Sequence, residues 1–337
     1  MPDSGVLHLW KNPQPEDIYP HVNDFLKALP GPTVIEIDGL DSTRSRALVT
    51  LLHGNEPSGL DAVHQLLLKG MTPAVNVSVV LGSVHAAVAA PLLYHRMLPG
   101  DRDLNRCFRP PYLDGQGILA AAIGEYLLEL GPEAIVDLHN TSGSSPAFGV
   151  TVEDTDEVKA ITGLFVDRLI VTELRLGSLM EQDFGAPVVT IEAGGGADEA
   201  AQGIALAGVG RYFSQVDLWS EVCEVQVIRN SRRLELVPHS RIEYAHKVLH
   251  DRDVTLRADI DDFNYKLAPR GEALGWLGEE GFGHLKVGGE PGSAQVEEFF
   301  LESEGKLCPR ADMQIFMATT RADIAVSDCL FYFVMTD

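Results

Sequence analysis

The sequence predicts an α/β domain, with a mostly parallel mixed sheet sandwiched by helices, followed by a smaller all-β domain. Three observations carry this expectation. Strand-like apolar runs alternate with helix-like runs through the first two thirds of the chain, the pattern of an α/β sandwich. Those strand runs lack a clean in-and-out alternation, as strands covered on both faces do. After about Val227 the texture changes to Gly and Pro punctuation with short alternating runs and no long helix.

In order, the strand-like runs fall at residues 34–37, 47–52, 75–81, 134–138, 147–152, 169–171 and 187–191. Helix-like runs at 60–69, 117–130, 157–167 and 197–213 separate most of them. Residues 1–32 are Pro-rich and mixed, with a short helix-like piece at 18–28. The run 118–123 is apolar nearly all round, so its helix is expected to be buried. The polar, basic stretch 229–233 reads as a linker, which divides the chain into residues 1–235 and 236–337.

At 337 residues the chain is too long for one typical core and suits a large domain plus a smaller one. It carries 49 acidic against 26 basic residues, a net charge of -23. That balance argues against nucleic acid or an anionic membrane as partner, because binding either depends on basic patches. An anionic substrate would need a local basic pocket. The four cysteines, Cys107, Cys223, Cys308 and Cys329, are scattered with no C-x-x-C pair, so free thiols in a reducing compartment are expected. Residues 1–10 lack the basic-then-apolar order of a signal peptide, and no apolar run approaches the roughly 20 residues of a membrane span. The expectation is a cytoplasmic enzyme. The oligomeric state is left open, a homo-oligomer included.

The stretch Leu51-Leu52-His53-Gly54-Asn55-Glu56-Pro57-Ser58-Gly59 lies between the second strand run and the first long helix run. That places His53 at the C-terminal mouth of a strand and Glu56 in the turn entering a helix, where open α/β sheets hold their ligands. Zinc accepts both residue types and, to be catalytic, needs a third protein ligand and an open position. His139, in Ile135-Val136-Asp137-Leu138-His139-Asn140, ends another apolar run and is the candidate third ligand. Glu192, in Val188-Val189-Thr190-Ile191-Glu192-Ala193-Gly194-Gly195-Gly196, is the candidate base. A charge at the N-terminus of the following helix is an equally good account of it. The glycines after it do not form a dinucleotide loop, because G-x-G-x-x-G would need glycine where Glu199 stands. Arg96 and Asp101-Arg102-Asp103-Leu104-Asn105-Arg106 could grip a substrate carboxylate through charge-assisted hydrogen bonds, or could be a loop of mutually neutralising charges.

HGNE, DLNR, DLHN and an apolar strand run ending in Glu before glycines, in this order, resemble the succinylglutamate desuccinylase and aspartoacylase family of the zinc carboxypeptidase-like superfamily. The resemblance covers nearly the whole chain, and Asp262-Phe263-Asn264-Tyr265-Lys266-Leu267-Ala268-Pro269-Arg270-Gly271 looks like a segment of that family's C-terminal β domain. It implies one zinc ion per chain, held by His53, Glu56 and His139. It also implies Asp103 as the carboxylate that orients His53, Asn105 and Arg106 as the grip on a substrate carboxylate, and Glu192 as general base. The place of the family's oxyanion arginine falls on Leu98 here; Arg96 and Arg102 flank it, and Arg102 is preferred.

The implied activity is zinc-dependent hydrolysis of the amide bond of a small anionic N-acyl amino acid, of the N-succinylglutamate or N-acetylaspartate kind. Residues 236–337 would shape the active-site cleft. The alternatives are a metallocarboxypeptidase or amidase acting on peptide or cell-wall fragments, and a zinc-binding protein without catalysis. A serine hydrolase is disfavoured because no G-x-S-x-G elbow occurs.

Overall fold

The computed structural model describes residues 6–141, 143, 145–220, 224–288, 295–327 and 329–336. The chain divides into two compact units. One takes in the chain up to Asn140, with Ala147–Ile170 and Arg175–Val227; the other joins Ile228–Asp337 to the short segments Thr141–Pro146 and Val171–Leu174.

The first unit is an α/β sandwich around one nine-stranded sheet. Its strands are β1 (His8–Lys11), β2 (Thr33–Ile37), β3 (Asp41–Thr50), β4 (Val75–Leu81), β5 (Ile135–Thr141), β6 (Phe148–Thr151), β7 (Arg168–Val171), β8 (Val188–Gly195) and β9 (Gln226–Ile228). They lie in the order β1-β2-β4-β3-β5-β8-β6-β7-β9. β3 runs parallel to both β4 and β5, whereas β2 is antiparallel to β4 and β6 to β8. The sheet is therefore mixed.

Helices α1 (Val22–Ala28), α2 (Ser58–Leu68), α3 (Val84–Val88), α4 (Gly115–Leu130), α5 (Asp156–Gly163) and α6 (Glu199–Ser214) alternate with the strands. Successive side chains of a strand point to opposite faces. Ala47 and Val49 of β3 pack with Leu119, Ala120, Ile123 and Leu127 of α4. Thr50, on the other face, meets α2, where a Cβ at Gly59 would stand 2.0 Å from its Oγ1. Helix α4 is not buried all round, because Ile118 is 47% and Leu128 56% exposed on its outer side. It covers one face of the sheet and shows its back to solvent.

Three elements of this unit went unforeseen, among them the three-residue edge strand β9. β1 is a four-residue edge strand inside the Pro-rich beginning, too short for periodicity to register. α3 is a five-residue helix directly after β4. Fully buried Arg46 forms a part-buried ion pair with Glu133, donating from Nε at 2.6 Å, and ties the sheet to the last helix of the unit by donating from Nη1 to the Tyr212 carbonyl at 2.6 Å.

Among its described residues the second unit contains ten strands: β10 (Arg232–Leu236), β11 (Ile242–Ala245), β12 (Val254–Arg257), β13 (Lys266–Ala268), β14 (Gly275–Leu277), β15 (Leu285–Gly288), β16 (Phe300–Ser303), β17 (Lys306–Pro309), β18 (Met313–Phe316) and β19 (Phe331–Met335). They form two five-stranded sheets, β13-β18-β19-β10-β15 and β11-β12-β14-β17-β16. Leu234, Leu256, Phe300, Ile315, Phe331 and Phe333 belong to one fully buried core. One helix, α7 (Ala322–Ser327), stands where only strands were expected.

Candidate metal centre

The chain leaves β3 abruptly. Leu51 adopts a left-handed backbone at φ 56°, a conformation that costs a leucine roughly 1–2 kcal/mol. The turn is held by Ser83, whose N–H meets the Leu51 carbonyl at 2.6 Å and whose hydroxyl meets the Leu52 carbonyl at 2.7 Å. Gly54 has no room for a side chain: a Cβ would lie 2.7 Å from Ala87 N and His95 O, both backbone atoms. This tight passage delivers His53 and Glu56 inward. Both are buried, at 4% and 6% exposure.

His139 meets them from β5. The Nδ1 atoms of His53 and His139 lie 3.2 Å apart. The Glu56 carboxylate spans both, Oε1 at 2.8 Å from His53 Nδ1 and Oε2 at 2.7 Å from His139 Nδ1. The other ring nitrogen of each histidine faces its own carboxylate: His53 Nε2 lies 3.0 Å from Asp103, and His139 Nε2 lies 2.8 Å from Asp137. A metal ion at the two Nδ1 atoms would leave each remaining proton on Nε2 against its carboxylate, with both Nδ1 atoms as acceptors; without one, Glu56 lies as close to each Nδ1 and competes for the proton.

Two acceptor nitrogens and two carboxylate oxygens therefore converge on one point, which only protons or a cation can make favourable. A tetrahedral zinc ion with ligands at 2.0–2.1 Å separates them by about 3.3 Å, close to the nitrogen–nitrogen distance here. His53, Glu56 and His139 are also the one His, Cys, Asp and Glu group among the described residues with metal-binding geometry. The residues fit zinc.

The electrostatics reflect that convergence. Burial raises Glu56, but the two imidazoles overcome it and hold the carboxyl below its ordinary range. Asp103 is likewise raised by burial and lowered further by His53 and Arg96. Burial lowers His139, yet Asp137 and Glu56 bring it well above the ordinary histidine value.

Glu192 lies within β8, which continues through Gly194 and Gly195, not at a strand end; α6 begins only at Glu199. The helix N-terminal account of its charge therefore loses its basis. Burial lifts the Glu192 carboxyl to about 7, against the pull of His139. Its Oε2 is enclosed without a hydrogen-bond partner among the described residues. This enclosed, unpartnered carboxylate oxygen lies within the field of His139, Glu56 and His53 and is a candidate proton acceptor.

Asp103 caps the short turn Leu104–Arg106, accepting from the Asn105 N–H at 2.9 Å, and so carries Asn105 and Arg106 to the same region. Asn105 Nδ2 stands 3.4 Å from His139 Nε2. Arg106 donates Nη1 to the Asn105 carbonyl and has no carboxylate partner among the described residues. In a chain of net charge -23, a half-buried arginine whose nearest acid, Asp103, is held by His53 and Arg96 is notable.

Arg102 is not brought to the cluster. Its guanidinium forms a two-pronged pair with Asp114, the N-cap of α4, on the surface. Arg96 stands in its stead, with Nε and Nη2 on Asp103 Oδ2 at 3.1 and 2.9 Å and Nη1 3.5 Å from Glu56 Oε1.

Two residues escaped the sequence. Asp137 and His139 are two apart on β5 and so share a face; that D-x-H spacing was the available signal. Asn140 binds Ser58 at the start of α2 and the Gly194 carbonyl of β8, joining three elements behind the cluster. A cavity of about 810 Å³ borders edge strand β1 and shares no lining residue with the cluster.

No protein-family model and no curated protein sequence matches the chain. Solved structures do. The chain is similar to succinylglutamate desuccinylase from Vibrio parahaemolyticus at TM-score 0.57 and 12% identity, covering 94% of this chain and 95% of that one. It is similar to a succinylglutamate desuccinylase/aspartoacylase from Rhodobacter sphaeroides at TM-score 0.55 and 15% identity, covering 86% and 84%. It is also similar to murine aminoacylase 3 at TM-score 0.56 and 17% identity, covering 88% and 96%. The chain has the fold of these proteins.

Proposed function

We propose that the chain belongs to the succinylglutamate desuccinylase and aspartoacylase family and is a zinc-dependent amidohydrolase that releases a free amino acid from a small anionic N-acyl amino acid. One observation carries this: two imidazole Nδ1 atoms and both oxygens of Glu56 meet at one point, with the open carboxylate oxygen of Glu192 among the charges that feel it. Mere metal storage needs neither Glu192 nor an arginine without an acid partner.

His53, Glu56 and His139 would hold the zinc, with Asp103 and Asp137 fixing the ring tautomers and orientations. Zinc bound there supplies a Lewis acid that polarises a carbonyl and lowers the pKa of water to about 7. Glu192 takes the proton of the attacking water as its oxygen bonds to the amide carbon. Arg96, rather than Arg102, donates to the carbonyl oxygen as negative charge develops there. When the carbon–nitrogen bond breaks, Glu192 returns the proton to the departing amine, so a carboxylic acid and an amino acid leave with the proton count balanced. Arg106 and the Asn105 amide hold the carboxylate of the amino-acid part.

Amine release from a panel of N-acyl amino acids and peptides tests the proposal. Turnover of N-succinylglutamate-like or N-acetylaspartate-like compounds is expected. Turnover of peptides alone would replace it with a metallocarboxypeptidase activity.

A further inference from the structure

Glu181 is enclosed by its own loop. Its Oε1 accepts from the Leu176 N–H at 2.6 Å, the Ser178 N–H at 3.1 Å and the Ser178 hydroxyl at 2.8 Å. Its Oε2 accepts from the Gly177 N–H at 2.9 Å. Among the described residues no lysine or arginine pairs with it, so its charge is spent on three backbone N–H groups and the Ser178 hydroxyl. Hydrogen bonds to a charged group are stronger than neutral ones, and four on one carboxylate make a stiff loop.

The far side of that loop rests on the turn that carries Asn105 and Arg106. The Phe108 N–H donates to the Gly177 carbonyl at 3.0 Å. Gly177 has φ 84°, and a Cβ there would lie 2.7 Å from the Arg106 carbonyl oxygen, so the two backbones touch. The Leu179 N–H donates to Asn105 Oδ1 at 3.0 Å. An N–H can meet only the oxygen of an amide, so this contact decides how the buried Asn105 side chain is turned, with oxygen to the loop and NH2 away from it. A carboxylate can be bound only by the NH2 end.

We infer that Glu181 is a positioning residue for substrate: it closes the 176–179 loop against the Asn105–Arg106 turn and thereby sets the amide that recognises a substrate carboxylate. The inference rests on the proposed role of Asn105 and Arg106. It adds that recognition depends on a residue that touches neither substrate nor metal.

Steady-state kinetics of Glu181→Ala, Glu181→Gln and Gly177→Ala, on an N-acyl amino acid and on its uncharged primary-amide counterpart, test it. For Glu181→Ala, KM for the acid rises about tenfold, the effect of one such hydrogen bond lost at the grip, while kcat stays within about threefold. KM for the amide does not change, so the preference for the acid shrinks by the same factor. Glu181→Gln, which keeps one acceptor oxygen, lies between Ala and wild type. Gly177→Ala, which pushes directly on the Arg106 carbonyl from the loop, moves KM in the same direction. Zinc content is unchanged in all three. Should Glu181→Ala fail to fold, the other two variants carry the test. A wild type that prefers the acid, with variants of unaltered preference, would overturn the inference alone. A loss of kcat equal on both substrates would overturn it too, by showing a merely structural role. A wild type with no preference for the acid would overturn the roles of Asn105 and Arg106, and the inference with them.

Discussion

His53 and His139 turn their Nδ1 atoms toward each other across 3.2 Å, although they arrive from different strands and stand 86 residues apart. Each is locked from behind by a carboxylate, Asp103 for the first and Asp137 for the second. The pairing is symmetrical in kind but not in setting. Asp137 is fully buried inside β5, whereas Asp103 sits at a turn and is shared with Arg96.

Asp137→Asn should weaken zinc binding about 10- to 100-fold, the usual cost of removing a carboxylate behind a ligating histidine. Competition with a chromogenic chelator measures it. An unchanged affinity would show that Asp137 does not orient His139.

The two arginines are predicted to separate cleanly. Arg96→Ala should lower kcat about 10²- to 10³-fold, as loss of a donor to a developing oxyanion does. Arg102→Ala should stay within about twofold, since exposed ion pairs such as that with Asp114 contribute little. The reverse ranking in a single kinetic comparison would restore Arg102 to the mechanism.

Burial brings Glu192 to about 7 without a metal, and a base must be ionised to act. A bound cation favours the ionised form and pulls that value down. The acid limb of kcat/KM should therefore lie below pH 7, with activity lost as pH falls through it. In the metal-free protein the sign for stability is opposite. A carboxyl raised above its unfolded value of about 4.3 stabilises most below that pH, and the contribution is lost as pH rises toward 7. The difference in Tm between wild type and Glu192→Gln, followed from pH 4 to 8 after chelation, should change in that direction. Glu192→Gln itself should keep zinc and fold but lose most turnover.

Glu133→Ala would strand the fully buried Arg46 without its anion. Removing one partner of a buried pair costs about 3–5 kcal/mol, so urea unfolding should shift strongly to lower denaturant. A shift under about 1 kcal/mol would mean that the Tyr212 carbonyl and ring suffice for Arg46.

Much of the site was legible because its motifs are local. HGNE and DLHN sit beside apolar runs long enough to read as strands, and the order of those runs brings their ends to one rim. The choice of arginine was not legible. Arg96 and Arg102 are six residues apart in an irregular loop, and spacing cannot show that Asp114, the cap of α4, captures the second of them. Glu192 was expected at a strand end because glycines read as loop, yet Gly194 and Gly195 continue β8. The left-handed turn at Leu51 was invisible, since nothing local marks a leucine for that backbone. Glu181 did leave a signal that went unread, the S-x-x-E spacing of a capping box with Ser178; its other partners are backbone N–H groups that any sequence has.

Elemental analysis of the purified protein after zinc loading and dialysis tests the central claim most directly, with His139→Ala alongside. About one zinc per chain in the wild type, and loss of it in a variant that keeps its far-ultraviolet circular dichroism, is the expected result. A wild type that retains no zinc would contradict the account, because His53, Glu56 and His139 would then converge for some other reason.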